Sequence, residues 1–387
     1  MSVLASATSF ELNGGWSFYR GDVQGAEKSD FNDSDWRHVS VPHDWSIEDL
    51  PGQANPFDEK APFRADQGYM LGGIGWYRRI VTLPADVATK TVLLRFEAVF
   101  MDARIWINGE LIARHPYGYS AFVLDISAKA MPGANVIAIQ VNNQAPSSRW
   151  YSGSGIIRPV HLDMLDKLHI DPLGPVITTP EVAEAEATVR VVTAVTNGRA
   201  DAVQASLTSI ILDPNSRELR RSVETLPIAA GGSATFNQQE ELVRPALWSI
   251  ESPALHTLVQ ELRFGDVLID SRRTKFGVRS ISFDAKTGFL LNGKHVLLKG
   301  GAIHDDNYML GAAGVPRADA RKVELMKAAG FNAIRSAHNP ASQATLEAAD
   351  RLGMLVIDEA FDAWTVPKRE NDYSRFFKDN WQSGVAS

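Results

Sequence analysis

The chain has 387 residues, a formal net charge of −7 and no cysteine. At roughly 100–200 residues per domain, this length predicts two to four domains. The acidic balance argues against nucleic-acid binding, which favours basic patches, and the lack of cysteine excludes disulfides and thiolate metal sites.

No stretch of about 18 apolar residues occurs, so no membrane span is predicted. Residues 1–16 show neither a basic n-region nor an apolar h-region, so no signal peptide is predicted. We therefore expect a cytoplasmic protein, although a cysteine-free chain is compatible with any compartment.

Residues 1–279 have the pattern of short strands separated by turns. Candidate strands lie at 91–96, 103–107 and 135–143, where apolar and polar residues largely alternate. Asn108-Gly109 favours a tight type I′ hairpin, because both residues accept positive φ. The pattern predicts a jelly-roll-like β-sandwich over residues 8–165.

A second sandwich is predicted over residues 168–278. Val189, Val191 and Val195 lie on one face of an alternating segment, and further candidate strands cover 205–212, 234–242 and 255–264. Helical periodicity is nearly absent. The segment suits an immunoglobulin-like sandwich, although no Cys–Trp–Cys signature supports it.

The periodicity changes after residue 279. The apolar run 295–299 suggests a strand buried on both faces, and 331–335 and 354–358 suggest two more. Pro316 and Ser342 begin two predicted helices, which Gly330 and Gly353 end. Repeated strand–helix units imply parallel strands, hence a doubly wound sheet or a (β/α)8 barrel over residues 280–387.

Polar and ionisable residues follow each of these three strands. In parallel α/β folds, ligands bind at the carboxyl ends of the strands. These strand ends carry His304 and Asp305, then Arg335, His338 and Asn339, then Asp358, Glu359 and Asp362. Salt bridges and caps within the barrel rim are the alternative interpretation. A metal site is disfavoured because no H-x-H or H-E-x-x-H spacing occurs, and no phosphate-binding loop is present.

Several motifs, in this order, resemble glycoside hydrolase family 2, which includes β-galactosidases, β-glucuronidases and β-mannosidases. They are Trp36-Arg37, VPHDW at 41–45, GIGWYR at 73–78, WYSGSGIIRPV at 150–160, NAIRSAHNP at 332–340 and DRLGMLVIDEA at 350–360. The resemblance covers essentially the whole chain. Residues 42–45 and the Asn-Pro after His338 most resemble the β-galactosidase branch.

The resemblance implies retaining hydrolysis of a terminal β-galactoside, with β-glucuronide or β-mannoside as alternative substrates. Retaining enzymes need two carboxyl groups about 5–5.5 Å apart. In the family these are Glu residues on later barrel strands. The only Glu after Glu359 is Glu370, which follows Arg369 rather than Asn. We therefore expect neither catalytic Glu in this sequence, and an isolated chain without activity.

The resemblance also assigns supporting roles. His304, His338, Arg335 and Asn339 are implied to bind the sugar. Asp305, Asp358 and Glu359 are possible supporting residues. The family's magnesium ligands are unmatched, with Ala363 and Thr365 in place, so no cofactor is expected. The loop 114–120 lacks the acidic sugar contact of some relatives.

Three hypotheses follow: the N-terminal part of a β-galactosidase-like hydrolase, a non-catalytic carbohydrate-binding protein, or a subunit completed by another segment or by homo-oligomerisation. With only three barrel strands expected, the strand at 354–358 should keep an unpaired edge, and Ile334 and Val356 should point into an unfilled barrel interior.

Overall fold

The computed structural model describes residues 8–62 and 64–386. Residues 1–7, on which the expectation of no signal peptide partly rests, lie outside the described part. Among the described residues, no helix is both long and apolar enough to cross a membrane.

The first sandwich pairs a four-stranded sheet, in the order β1-β10-β5-β8, with a six-stranded sheet, in the order β3-β2-β4-β9-β6-β7. The strands are β1 (Thr8–Glu11), β2 (Trp16–Arg20), β3 (Arg37–Val39), β4 (Gly73–Leu83), β5 (Lys90–Phe96), β6 (Ala103–Ile107), β7 (Glu110–His115), β8 (Phe122–Asp125), β9 (Gly133–Asn143) and β10 (Val160–Asp166). Alternation places Ile105, Ile137 and Ile139 in the shared core. Asn108 and Gly109 have φ of 51° and 86°, as the predicted hairpin requires.

The second sandwich is antiparallel throughout its two sheets. Its strands are β11 (Leu168–Ile170), β12 (Val176–Val182), β13 (Glu186–Asn197), β14 (Val203–Leu212), β15 (Glu218–Ile228), β16 (Ser233–Val243), β17 (Leu255–Phe264) and β18 (Val267–Gly277). β13 pairs with β11, β12 and β16, while the other sheet has the order β15-β14-β17-β18. Sequence analysis missed the short buried strand β11. It also missed β12, β15 and β18, which carry many polar residues and are half exposed.

A small antiparallel sheet and part of a barrel follow. The elements are β19 (Ile281–Asp284), β20 (Gly288–Leu291), β21 (Lys294–His295), β22 (Gly300–Ile303), α1 (Pro316–Ala328), β23 (Ala333–Ser336), α2 (Gln343–Leu352), β24 (Leu355–Asp358) and α3 (Ser374–Ala386). β22, β23 and β24 form a parallel sheet in chain order. The expected fold class, two sandwiches followed by part of an α/β barrel, is confirmed.

The first barrel strand does not lie where its apolar run predicts. Residues 296–299 are outside any strand, Leu297 is 67% exposed, and the strand is Gly300–Ile303. A side chain at Gly300 would collide with the backbone of Ala333 on the neighbouring strand. Close approach of the two strands therefore requires glycine at position 300, a residue that local propensity disfavours in a strand.

The side chains predicted to point into the barrel interior lie on the other face of the sheet. Ile334 and Val356 pack with Val323 of α1 and Ala349 of α2, so they face the helices and not the barrel interior. The opposite face of β23 and β24 carries Arg335 and Ile357, which are in register. Those two side chains therefore line the interior side.

Candidate functional site

The carboxyl ends of the three parallel strands bring the predicted histidines together. His304 follows β22 and His338 follows β23, and their ring centroids are 5.5 Å apart. Arg335, at the end of β23, reaches His338, with 3.3 Å between Arg335 Nη2 and His338 Nδ1. The three side chains thus lie within the span of one sugar ring.

The hydrogen bond of His304 fixes its tautomer. Its Nδ1 lies 2.7 Å from the carbonyl oxygen of Ala337. A carbonyl oxygen only accepts, so Nδ1 must carry a proton. In the neutral ring Nε2 is then unprotonated and can accept a hydrogen bond from a hydroxyl group.

His338 has two competing partners at the same nitrogen. Glu359 Oε2, a hydrogen-bond acceptor, lies 3.2 Å from His338 Nδ1. Arg335 Nη2, a hydrogen-bond donor, lies 3.3 Å from the same nitrogen. Nδ1 donates to Glu359 when protonated and accepts from Arg335 when not. Glu359 also accepts a hydrogen bond from Arg335 Nε at 2.5 Å, so its carboxylate bridges both residues.

The first sandwich contributes an aromatic wall that sequence analysis did not assign to the site. Trp150 is half-buried and stacks on His304, with centroids 5.8 Å apart and an interplanar angle of 19°. Its ring also lies 5.0 Å from that of His338. Trp150 belongs to the quoted 150–160 motif, but spacing along the chain gives no sign that this segment meets the barrel.

The remaining strand-end residues hold the domains and loops together. Asp305 pairs with the buried Arg158 of the first sandwich at 3.1 Å, and Arg158 also donates to the carbonyl oxygen of Pro340 at 2.8 Å. Burial raises the pKa of Asp305, and the charge of Arg158 opposes that rise. Asn339 is buried and its side-chain amide donates to Pro340. Asp305 and the amide nitrogen of Asn339 thus have partners within the protein, and their predicted contact with sugar stays a prediction.

The carboxylates at the end of β24 are also engaged. Asp358 accepts from the backbone N–H of Ala341 at 2.8 Å, and burial raises its pKa. Asp362 accepts from Arg149 at 2.5 Å and from Lys368 at 2.9 Å. Within the described ranges, no group of three or more His, Asp or Glu residues is arranged to hold a metal ion.

Three family models match successive parts of the chain. The sugar-binding domain of glycosyl hydrolases family 2 matches residues 10–165, a second family 2 domain matches 168–279, and the family 2 TIM barrel domain matches 284–379. The chain belongs to glycoside hydrolase family 2. Its sequence-based recognition is thereby confirmed.

Family 2 relatives resemble this chain along most of its length. A β-galactosidase of Bacteroides ovatus is 35% identical over 95% of this chain and 43% of its own length. A putative β-glucuronidase of Formosa agariphila is 34% identical over 97% of this chain and 35% of its own.

Solved structures of family 2 members agree. A member from Bacteroides cellulosilyticus superposes with a TM-score of 0.95 at 40% identity, covering 98% of this chain and 49% of its own. The β-glucuronidase 2 of Bacteroides uniformis, covalently bound to cyclophellitol-6-carboxylate aziridine, gives 0.84 at 29% identity, covering 98% and 45%. This chain thus spans about half, or less, of the length of the relatives it matches.

Proposed function

We propose that this chain forms the sugar-binding part of a retaining family 2 β-glycosidase that acts on terminal β-galactosides. The convergence of His304, His338 and Arg335 at the carboxyl ends of the parallel strands carries the proposal. In the part of the chain that the structure describes, Nε2 of His304 and Nε2 of His338 have no hydrogen-bond partner, so they can bind sugar hydroxyl groups. Such hydrogen bonds accelerate hydrolysis only where they strengthen in the transition state.

The two catalytic carboxyl groups are proposed to come from barrel strands that follow β24. A retaining pair flanks the scissile bond, with one group attacking the anomeric carbon and the other protonating the leaving oxygen. Asp305, Asp358, Glu359 and Asp362 each already accept a hydrogen bond from a cation or a backbone N–H. Three of them also crowd the end of one strand. None is placed to act as a free nucleophile.

Charge at the site favours a neutral sugar over a uronate. Arg335 lies beside His338, Arg149 precedes Trp150 in the chain, and each is paired with a carboxylate at 2.5 Å. A sugar carboxylate binds most tightly to a cation that is not already neutralised. Relatives carry both β-galactosidase and β-glucuronidase names, so β-glucuronide remains an alternative substrate. β-Mannoside remains a second alternative from the sequence resemblance alone.

The partner that completes the site is proposed to pair with β24. Within the described residues, β24 is hydrogen-bonded to β23 on one side, and no strand pairs with its other edge. Ile357 is 53% exposed on the face that carries Arg335. An exposed apolar edge strand is a template for a further strand. Either a following barrel segment or a second chain could supply it.

The test is an assay of the purified 387-residue chain on aryl β-galactoside, β-glucuronide and β-mannoside. We expect no turnover and no covalent adduct with a 2-fluoro glycosyl inhibitor, because the nucleophile is proposed to lie on a barrel strand that follows β24. We expect D-galactose to bind, and His338→Ala to weaken that binding. Activity should appear when the remaining barrel strands are supplied.

Two outcomes would contradict the proposal. Turnover that survives repurification and disappears in Glu359→Gln would make Glu359 catalytic. Galactose binding with no activity in the completed barrel would instead indicate a carbohydrate-binding protein without catalysis.

A further inference from the structure

Residues 150–152 carry two adjacent aromatic side chains, Trp150 and Tyr151, that have different partners. Trp150 packs against His304 and His338 of the barrel. The hydroxyl group of Tyr151 donates a hydrogen bond to Asp44 of the first sandwich. The position of the Trp150 ring therefore depends on how firmly this short segment is held.

Asp44 holds the segment to both domains at once. Its carboxylate accepts from Tyr151 and from the backbone N–H groups of Ser46, Ser154 and Ala312, each N–H at 2.9 Å. Ala312 lies in the barrel loop that follows His304. Asp44 is buried, so these charge-assisted hydrogen bonds form away from competing water. The same carboxylate thus fixes the Trp150 segment and the loop after His304.

Gln67 holds the segment from a second direction. Its amide nitrogen donates to the carbonyl oxygen of Trp150, and its amide oxygen accepts from the backbone N–H of Ser152 at 3.0 Å. Gln67 is also buried. The Gln67 side chain therefore holds the backbone on both sides of Tyr151.

His338 needs such support more than His304 does. His304 is oriented by its hydrogen bond to Ala337. His338 Nδ1 has two partners that require opposite protonation states of that nitrogen. Hydrogen bonding alone therefore does not fix the orientation of the His338 ring. The torsion of an imidazole ring about χ2 is also broad. Packing against Trp150 limits the orientations that remain.

We infer that Trp150 is a positioning residue for His304 and His338, held in place by Tyr151, Asp44 and Gln67. The inference rests on the proposed function for its consequence, because the two histidines matter only if they bind sugar. The positioning of the two histidine rings by Trp150 does not depend on that function, because ring positions can be measured without a ligand.

The experiment records imidazole NMR signals of the full chain, with His304, His338 and His43 assigned by single His→Gln variants. Removing the Trp150 ring current in Trp150→Ala should move the His304 and His338 signals. Tyr151→Phe should move the same two signals and leave His43 unchanged. Gln67→Leu, a second route to the same release, should act in the same way.

Tyr77→Phe is the matched control. Tyr77 is also a buried tyrosine of this sandwich, but its hydroxyl lies 2.7 Å from His43 Nδ1. Tyr77→Phe should therefore move the His43 signal and leave those of His304 and His338 in place.

A D-galactose titration of the same variants gives the functional consequence. We expect the dissociation constant to rise about three- to tenfold in Tyr151→Phe, as for loss of one buried hydrogen bond. The inference is overturned if Trp150→Ala leaves both histidine signals unchanged, or if Trp150→Ala moves them while neither Tyr151→Phe nor Gln67→Leu does. If the unsubstituted chain does not bind galactose, the proposed function fails, while the NMR signals still decide the positioning role.

Discussion

The first sandwich and the barrel portion use apolar residues in different ways. In the sandwich, Trp16, Trp45 and Tyr77 are fully buried between sheets whose strands all come from residues 8–166. In the barrel portion, Ile357 of β24 is 53% exposed. Antiparallel sheets complete their core from neighbouring segments, whereas the interior of a barrel is filled by residues from strands far apart in the chain.

The same contrast explains where the candidate site lies. The barrel portion supplies His304, His338 and Arg335, and the sandwich supplies Trp150. The sandwich, with its buried core, forms one wall of the candidate site. Beside it lie barrel strands whose last member, β24, has one unpaired edge within the described residues. The two regions should therefore differ in stability, although both contribute side chains to the candidate site.

The largest expected difference is in local opening. We predict that limited proteolysis cleaves the chain readily after about residue 280 and leaves both sandwiches protected. Local stability follows the number of buried apolar contacts, which is low along β24. Mass spectrometry of the fragments locates the cuts. Equal protection along a monomeric chain would contradict the comparison.

Two isoleucine-to-alanine substitutions compare how much a strand side chain contributes to stability in the sandwich and in the barrel portion. Ile105→Ala removes a fully buried side chain from β6 and should lower the free energy of unfolding of the sandwich by about 2–5 kcal/mol. Ile357→Ala, on the exposed face of β24, should cost less than about 1 kcal/mol. Urea unfolding with hydrogen exchange read by mass spectrometry assigns each loss to its region. Equal losses would show that the barrel interior is already packed.

A smaller expected effect is that the stability of the first sandwich depends on pH. Burial lowers the pKa of His115, in β7 of the sandwich, to about 4. An unfolded histidine titrates near 6.5, so between these values the unfolded state binds the proton and the folded state does not. Sandwich stability should therefore fall as pH decreases from about 6.5 to about 4, by at most about 3 kcal/mol.

The substitution His115→Gln tests that origin. Thermal unfolding of the sandwich should become less sensitive to pH in this range, although its stability at pH 7 also falls if the contacts of the ring with Ser120 and Phe122 are lost. An unchanged dependence on pH would assign the acid sensitivity to other groups.

Features set by neighbouring residues could be predicted from the sequence. Ser342 caps α2 by accepting from the N–H of Thr345, and Gly353 ends it with φ of 71°. The hairpin at Asn108-Gly109 likewise depends on the conformational preferences of its own two residues. These elements are decided within a few residues.

Features that depend on distant partners were predicted less well. The first barrel strand falls on Gly300–Ile303 because Ala333 approaches too closely for a side chain at Gly300. The apolar run before it was a stronger local signal for a strand. Ile334 and Val356 were assigned to the wrong face, because alternation shows two faces but not which of them the helices cover.

For this protein, the sequence by itself determined the family, the two sandwiches, the parallel strand–helix units and the histidines at their strand ends. Short-range periodicity and ordered motifs carry that information. Only the tertiary structure decided that Asp305 pairs with Arg158, that Glu359 bridges Arg335 and His338, and that Trp150 reaches both histidines. Those contacts join residues separated by up to about 190 positions, and no local pattern records which distant side chains meet when two domains pack.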